Sequence, residues 1–222
     1  MGAFEGLTEY LKESLIDYAM QFGYHDSNIA ILEGDIDRLR RDHPEIYQNL
    51  LTCSHHADRR TPISYGQDLV ASWIFEDLFL ANVNKELLNI SLAGADRNRM
   101  ILPDQRTAAS TDYIITSNSG YRIGMELVND YTGFWYRNHK LHLRDNKYLR
   151  LLNEHSLLLA IALSHGIAKY TILDFRDNPA ATYIPSHKPY GGKPAYEMPV
   201  DRNRLFDFSW ESVSRSLTQA VL

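Results

Sequence analysis

The stretch TDYIITSNSGYRIGMELVND, residues 111–130, predicts a β-hairpin. Two runs rich in β-branched and aromatic residues, YIIT and YRIGMELV, are separated by SNSG, whose Asn and Gly tolerate the left-handed backbone of tight turns. With the turn in the middle of SNSG, Asp112 lies nearly opposite Met125 and Glu126. Adjacent antiparallel strands are about 4.8 Å apart, so the two carboxylates can reach one ion.

Both acids interrupt runs that otherwise suit a buried sheet. Burying a carboxylate is costly unless it is paired or holds a metal. Asp112 shares a strand face with Ile114, and Glu126 shares one with Val128. The hairpin therefore predicts that Asp112 and Glu126 act together.

Helices are predicted on the amino-terminal side of the hairpin. Apolar residues recur at helical spacing over residues 3–22 and stop at Gly23. Further helices are predicted over residues 29–41, from Pro44 onward, and over residues 66–84. The polar segment CSHHADRRTP between the last two indicates a connector. We therefore predict a helical arm over residues 1–62 and a core over residues 63–222.

The segments around the hairpin mix strands with helices. LLNISLAG upstream has short-strand character, and SLLLAIAL and AKYTILDF downstream read as two buried strands. A short helix is predicted over residues 143–154 and another at the carboxyl end. Because strands and helices do not alternate strictly, the predicted fold is α/β or α+β, with a central mixed sheet flanked by helices.

Composition limits the function classes. The 222 residues carry 23 basic and 28 acidic side chains, a net charge of −5, which argues against general attraction to nucleic acid but leaves room for a DNA enzyme with a local basic groove. The single cysteine, Cys53, excludes a disulfide framework within the chain. With an acidic amino terminus and no long apolar run, a cytoplasmic protein without a membrane segment is expected.

A third acid lies on the apolar helix before the hairpin. Glu76 interrupts a stripe at helical spacing and is expected to point inward; the other members of the stripe are Leu69, Trp73, Leu80 and Val83. Its neighbour Asp77 is the competing candidate. Paired to an arginine, either acid would be structural only.

Carboxylates from a helix and a hairpin are suitable ligands for a hard cation. Mg²⁺ prefers one or two protein carboxylates together with waters and phosphate oxygens. Such an ion activates a bound water and stabilises the charge that develops when a phosphodiester is cleaved. We therefore predict that Glu76, Asp112 and Glu126 bind Mg²⁺.

The order of these features resembles the PD-(D/E)xK nuclease core of type II restriction endonucleases. The resemblance covers residues 66–175, with Asp112 matching the first metal-binding acid, Glu126 the second, and Glu76 an auxiliary acid on the preceding helix. Thr111 stands where the motif has proline. The resemblance implies a restriction-enzyme-like, Mg²⁺-dependent, sequence-specific endonuclease acting on double-stranded DNA.

The motif lysine is missing from this chain. Val128 occupies its position, two residues after Glu126, so another cation is needed beside the attacking water. Lys147 on the following helix is the leading substitute, with Lys140 behind it. A rival Pro103-Asp104 pair upstream lacks a following strand.

Basic side chains in loops are the candidate DNA contacts. GADRNRM offers arginines that suit phosphates or guanine edges, and SHKPYGGKP offers lysines on a turn. A homodimer is expected, because cutters of palindromic DNA usually share its two-fold symmetry. The predicted DNA-binding residues are Arg97, Arg99, Lys140, Lys188 and Lys193.

Two other functions remain open at this stage. Cys53, His55 and His56 are ligand types that a zinc hydrolase uses, although adjacent histidines rarely chelate one ion together. Val128 favours a DNA-binding or assembly protein that has a nuclease-like core without catalysis. Zinc analysis and a cleavage assay distinguish the three functions.

Overall fold

The structure is a computed structural model that describes residues 9–53, 60–83, 88–94, 98–103, 111–164 and 166–221. The chain forms two compact units, residues 1–78 with 95–109 and residues 79–94 with 110–222. None of the helices in the described ranges has both the length and the apolar character needed to cross a bilayer.

The first unit is helical in its described part. It contains α1 (Glu9–Gln21), α2 (Asp26–Glu33), α3 (Ile36–Asp42), α4 (Pro44–Cys53) and most of α5 (Pro62–Asn82). The domain boundary predicted after residue 62 falls at the start of α5, whereas the two units divide near the carboxyl end of that helix.

The single helix predicted over residues 29–41 is wrong, because the chain forms two helices there. Gly34 ends α2 with a φ of 75°, a left-handed conformation that glycine adopts at little cost, and its N–H bonds back to Ala30 and Ile31. The carboxylate of Asp35 then accepts a hydrogen bond from the Arg38 N–H and caps α3. A glycine followed by an N-capping acid therefore divides the helix.

The predicted end of the first helix and the predicted start of another at Pro44 are confirmed. Gly23 follows α1 with a φ of 69°, and Pro44 begins α4. The apolar helix α5 starts at Pro62, earlier than predicted. It packs tightly at Gly66, where an added Cβ would lie 2.7 Å from Leu50 Cδ2.

The second unit contains the strands and three further helices. The strands are β1 (Asn89–Leu92), β2 (Tyr113–Thr116), β3 (Arg122–Asp130), β4 (Lys140–Arg144), β5 (Leu157–Ser164), β6 (Ile167–Asp174), β7 (Thr182–Ile184), β8 (Ala195–Pro199) and β9 (Phe206–Asp207). The helices are α6 (Phe134–Asn138), α7 (Asp145–Asn153) and α8 (Trp210–Val221).

The strands form one large and one small sheet. The large sheet has the order β1-β2-β3-β5-β6-β9, with β3 and β5 parallel and the other neighbours antiparallel. The prediction of a mixed sheet flanked by helices is therefore confirmed. The small antiparallel sheet, β4-β8-β7, was not predicted, because its last two strands come from a proline- and glycine-rich segment.

The hairpin forms in the predicted register. Tyr113 pairs with Met125 and Thr116 with Arg122. The turn closes with a hydrogen bond from Ser117 N–H to the carbonyl of Tyr121. The helix predicted from residue 143 begins instead at Asp145, because Leu143 belongs to β4 and pairs with Tyr196.

Both faces of the large sheet are covered. On one face Tyr113 packs against Phe79, with ring centroids 5.0 Å apart, and the hydroxyl of Tyr170 bonds to Ser212 and Ser216 of α8. On the other face α7 and the small sheet bury apolar side chains against β5, including Leu143, Tyr148, Leu151, Leu158, Ala160 and Met198. This second cluster positions α7 next to Glu126.

Candidate functional site

Asp112 and Glu126 lie opposite each other at the start of β2 and within β3. Because Tyr113 pairs with Met125, the preceding Asp112 faces the following Glu126. The Oδ2 of Asp112 accepts a hydrogen bond of 2.8 Å from Leu127 N–H. Asp112 is partly buried, and Glu126 is only 2% exposed. Asp112 and Glu126 therefore lie opposite each other, as the hairpin predicted, and their joint role at a metal ion stays a prediction.

Two cations of α7 bind the Glu126 carboxylate. Lys147 Nζ contacts Oε1, and Arg150 Nη2 donates to Oε2 at 2.6 Å. These residues are three positions apart, so they lie on the same helix face. The structure thus brings Lys147 to Glu126, where the sequence predicted it, and its catalytic role stays a prediction.

Burial and charge shift the ionisation of this cluster. Burial, together with the negative charge of Glu126, raises the pKa of Asp112 to about 6. Burial alone would lower the pKa of Lys147, but the carboxylates of Glu126 and Asp112 outweigh it and the pKa is raised. Lys147 is therefore an ammonium ion at neutral pH.

The donor set fits a divalent cation held by two carboxylates. In the described part of the chain the Oδ1 atom of Asp112 makes no hydrogen bond, and Mg²⁺ accepts one or two carboxylates with waters completing its shell. Lys147 already contacts Oε1 of Glu126, so a metal ion there would share the carboxylate with the ammonium group. Within the described ranges no three side chains of His, Cys, Asp or Glu form a group that could hold a metal ion.

Gly124 of β3 packs closely against Ser156 and Thr111 next to the candidate site. A Cβ added to Gly124 would lie 2.6 Å from Ser156 Oγ and 3.1 Å from Thr111 Cγ2. Real Cβ atoms essentially never come that close to other atoms, so a side chain at position 124 would force Ser156 or the strand to shift. Gly124 thus lets Thr111 pack against β3 immediately before Asp112.

Glu76 takes part in an ion-pair network of the first unit. Arg99 donates to Glu76 at 2.6 Å and, with two nitrogens, to Asp77 at 3.2 and 2.5 Å. Tyr24 also donates to Asp77, at 2.5 Å. Glu76 therefore binds an arginine here, and the metal-binding role predicted for it stays a prediction.

Arg99, which the sequence predicted to contact DNA, pairs with Glu76 and Asp77 in this structure, and its contact with DNA stays a prediction. Its side chain is only 10% exposed, and its guanidinium is engaged by both carboxylates. Its carbonyl also accepts a hydrogen bond of 2.8 Å from the Asn28 side chain. Arg99 therefore holds residues 98–103 against the helices of the first unit.

The other predicted DNA contacts differ in their surroundings. Lys140 pairs with Glu197 at 2.8 Å and is half exposed. Lys188 and Lys193 are exposed in the segment between β7 and β8. Arg97 lies outside the described residues.

The remaining candidate segments are only partly described. Pro103 is described, but Asp104, the other half of the rival pair, lies outside the described residues. Cys53 is buried and donates to the Leu102 carbonyl at 3.1 Å. His55 and His56 lie outside the described residues, so the zinc hypothesis has no geometry to support it.

Arg150 was not predicted as part of the site. Its spacing of one helical turn from Lys147 is a signal that could have identified it. The ring pair His142 and His187 was also missed. Their contact is tertiary, across 45 positions of the chain, and leaves no local pattern.

The comparisons with known proteins add no assignment. No family model matches the chain, and neither the curated proteins nor the solved structures contain a match.

Proposed function

We propose that the protein is a metal-dependent endonuclease that hydrolyses phosphodiester bonds in DNA. The observation that supports it best is the cluster of Asp112 and Glu126 on adjacent strands with Lys147 from α7. Two acids and a lysine are the groups that metal-assisted phosphodiester hydrolysis needs, and here the lysine comes from a helix in place of Val128. Cleavage of specific sequences in duplex DNA by a homodimer is the part of the proposal that depends on the PD-(D/E)xK resemblance.

Asp112 and Glu126 would hold Mg²⁺ in this proposal. When bound, the ion lowers the pKa of a coordinated water and stabilises negative charge on the phosphate oxygens. Asp112 has an oxygen without a hydrogen bond in the described part of the chain, and its Oδ2 is oriented by Leu127 N–H. Arg150 fixes Glu126 by bonding Oε2.

Lys147 acts as a cation in this proposal and not as a base. Its raised pKa keeps it protonated at neutral pH, so it cannot take a proton from water. An ammonium ion beside Glu126 can donate hydrogen bonds to the attacking water or to a non-bridging phosphate oxygen. Such a contact stabilises the charge that builds up in the transition state.

Cleavage of supercoiled plasmid tests the proposal. The wild-type protein should nick or linearise the plasmid with Mg²⁺ or Mn²⁺ and lose this activity in excess chelator. Asp112→Asn and Glu126→Gln should be inactive while they remain folded, and Asp174→Asn, which alters a β6 acid bonded to Arg176, serves as the control. Full activity of either site variant would disprove the site.

A second function is favoured by the ion pairs of Glu126. Both oxygens of its carboxylate already bind cations, an arrangement that also describes a structural ion cluster in a DNA-binding protein without catalysis. In that case Mg²⁺ would not bind at millimolar concentrations, and DNA would bind without being cut. Calorimetric titration with Mg²⁺ separates the two functions.

A further inference from the structure

Four rings form a continuous row beside α7 and the small sheet. The ring centroids of Phe134 and His142 are 5.4 Å apart, those of His142 and His187 are 4.4 Å apart, and those of His187 and Tyr190 are 4.7 Å apart. At the far end the guanidinium of Arg144 lies 5.7 Å from the Tyr190 ring centroid.

Hydrogen bonds fix the middle of the row. His142 lies 3.0 Å from Glu197 through Nε2 and 3.0 Å from His187 through Nδ1. The Tyr190 hydroxyl donates to the His142 carbonyl at 2.7 Å. The two histidines are largely buried, whereas Phe134 is 43% exposed. Phe134 is therefore the most exposed ring of the row.

Exposed cations lie on the same segments of the chain as the rings of this row. Arg144, Lys188 and Lys193 are exposed, and none of them forms an ion pair within the described part of the chain. Of the carboxylates on these elements, Glu197 is paired with Lys140 and His142, which leaves Asp145 at the start of α7. The surface is thus locally basic although the chain has a net charge of −5.

The row ends next to the carboxylate site. Burial raises the pKa of Tyr190, and the positive charges of Lys147 and Arg144 act against that rise. Arg144, whose guanidinium lies 5.7 Å from the Tyr190 ring centroid, immediately precedes α7, the helix that carries Lys147. Because Lys147 contacts Glu126, a nucleic-acid strand that follows the row from Phe134 to Tyr190 would run toward Asp112 and Glu126.

We propose that Phe134, Arg144, Lys188 and Lys193, here called the ring surface, bind an unpaired stretch of nucleic acid beside the cleaved bond. The inference rests on the proposed function and adds to it the form of the substrate. An exposed aromatic ring stacks on a base of any sequence, and cations track the phosphates. In a duplex the base faces are hidden by stacking, so the ring requires a single-stranded overhang, flap or opened segment.

Binding without cleavage tests the ring surface. In excess chelator, fluorescein-labelled DNA is titrated as a single strand, as a blunt duplex and as the same duplex with a single-stranded overhang. Phe134→Ala should weaken binding of the strand and of the overhang by about tenfold, and should leave the blunt duplex unchanged. Phe134→Trp should bind the single strand and the overhang as tightly as the wild type does, because tryptophan also stacks on bases.

A matched control is available on the same sheet. Tyr183 is 52% exposed on β7, at the edge of the small sheet opposite β4, so Tyr183→Ala removes an exposed ring from outside the row. It should bind all three DNAs as the wild type does. Lys188→Ala and Lys193→Ala should each weaken binding to every DNA and reduce the slope of log K against log salt by about 1.

The outcomes separate the ring surface from the proposed nuclease. If Phe134→Ala weakens the blunt duplex as much as the single strand, or changes neither, the ring surface is disproved while plasmid cleavage still stands on its own. If binding depends on Phe134 only for unpaired DNA but no metal supports cleavage, the ring surface holds and the nuclease is disproved. Equal weakening by Tyr183→Ala would also contradict the ring surface.

Discussion

Asp112 is a partly buried carboxylate that lowers the stability of the folded state at neutral pH. Its carboxylate is partly buried opposite Glu126, and its pKa is raised to about 6. At neutral pH it therefore carries a charge that the folded state disfavours. The Lys147 ammonium partly offsets that charge, and a cation bound in the proposed function would offset it further.

Asp112→Asn should stabilise the metal-free protein at neutral pH while it abolishes cleavage. The raised pKa means that the stability contributed by Asp112 is complete below about pH 4 and is lost as the pH rises through about 6. Asparagine keeps the acceptor for Leu127 N–H and has no charge to bury. The gain in unfolding free energy should be about 2–3 kcal/mol at pH 7.5.

Denaturant titration in chelator, at pH 4 and pH 7.5, measures this difference. The two proteins should be nearly equally stable at the lower pH. If Asp112→Asn is less stable than the wild type at pH 7.5, the charge of Asp112 is fully compensated by its surroundings in the folded state.

Lys147→Ala should separate metal binding from catalysis. Without the ammonium ion on Oε1, Glu126 is more available to a cation, so Mg²⁺ should bind several-fold more tightly. The cleavage rate should nevertheless fall by orders of magnitude, because the cation that supports the transition state is gone. Calorimetry and single-turnover cleavage measure the two quantities. Lys169→Ala, which removes an ion pair with Asp207, is the control.

At the scale of elements, α7 and the strand pair β2 and β3 form the site together. The helix presents Lys147 and Arg150 to Glu126, while Tyr148 and Leu151 of the same helix are buried in the cluster under the small sheet. Packing of the apolar face therefore fixes where the cations lie. The close contact at Gly124 sets the path of the chain into Asp112.

Gly124→Ala should destabilise the protein by about 1–3 kcal/mol, because the added methyl group clashes with Ser156 Oγ. Ser156→Ala removes that oxygen, so the double variant should recover part of the loss. A thermal double-mutant cycle measures the coupling. Additive effects of the two substitutions would contradict the contact, since residues that share a clash do not act independently.

Over the whole molecule, the chain forms a helical unit and a sheet unit, and each unit consists of two separate segments of the chain. Residues 95–109 return to the helical unit, and Arg99 holds part of that segment through Glu76 and Asp77. Asp112 and Glu126 of the candidate site lie in the sheet unit. The buried network of the first unit therefore bears on folding, and the cluster around Glu126 bears on the proposed activity.

Arg99→Ala should destabilise the protein by about 3–5 kcal/mol, because it leaves two largely buried carboxylates without their cation. Arg99→Lys should recover only part of the loss, since lysine cannot make the paired contact with Asp77. Denaturant unfolding measures both. Arg202→Ala is the control, because Arg202 is exposed and lies outside this network. A loss of DNA affinity in folded Arg99→Lys would instead support the original prediction of a DNA contact.

Local features of the fold and of the candidate site could be predicted from the sequence. Alternation and turn residues predicted the hairpin and its register, and with them the meeting of Asp112 and Glu126. Helical spacing identified Lys147 as a residue able to reach Glu126. These predictions succeeded because side-chain direction repeats every two residues in a strand and every 3.6 residues in a helix.

Tertiary structure alone decided the rest. The small sheet, the ring row and the binding of Glu76 to Arg99 all join segments distant in sequence, and no local periodicity encodes which partner a side chain meets. A buried carboxylate is stabilised by a nearby cation. The sequence alone does not show whether that cation is an arginine or a metal ion. Which of them it meets depends on how the chain packs, because burial and distance set the energy of each pairing.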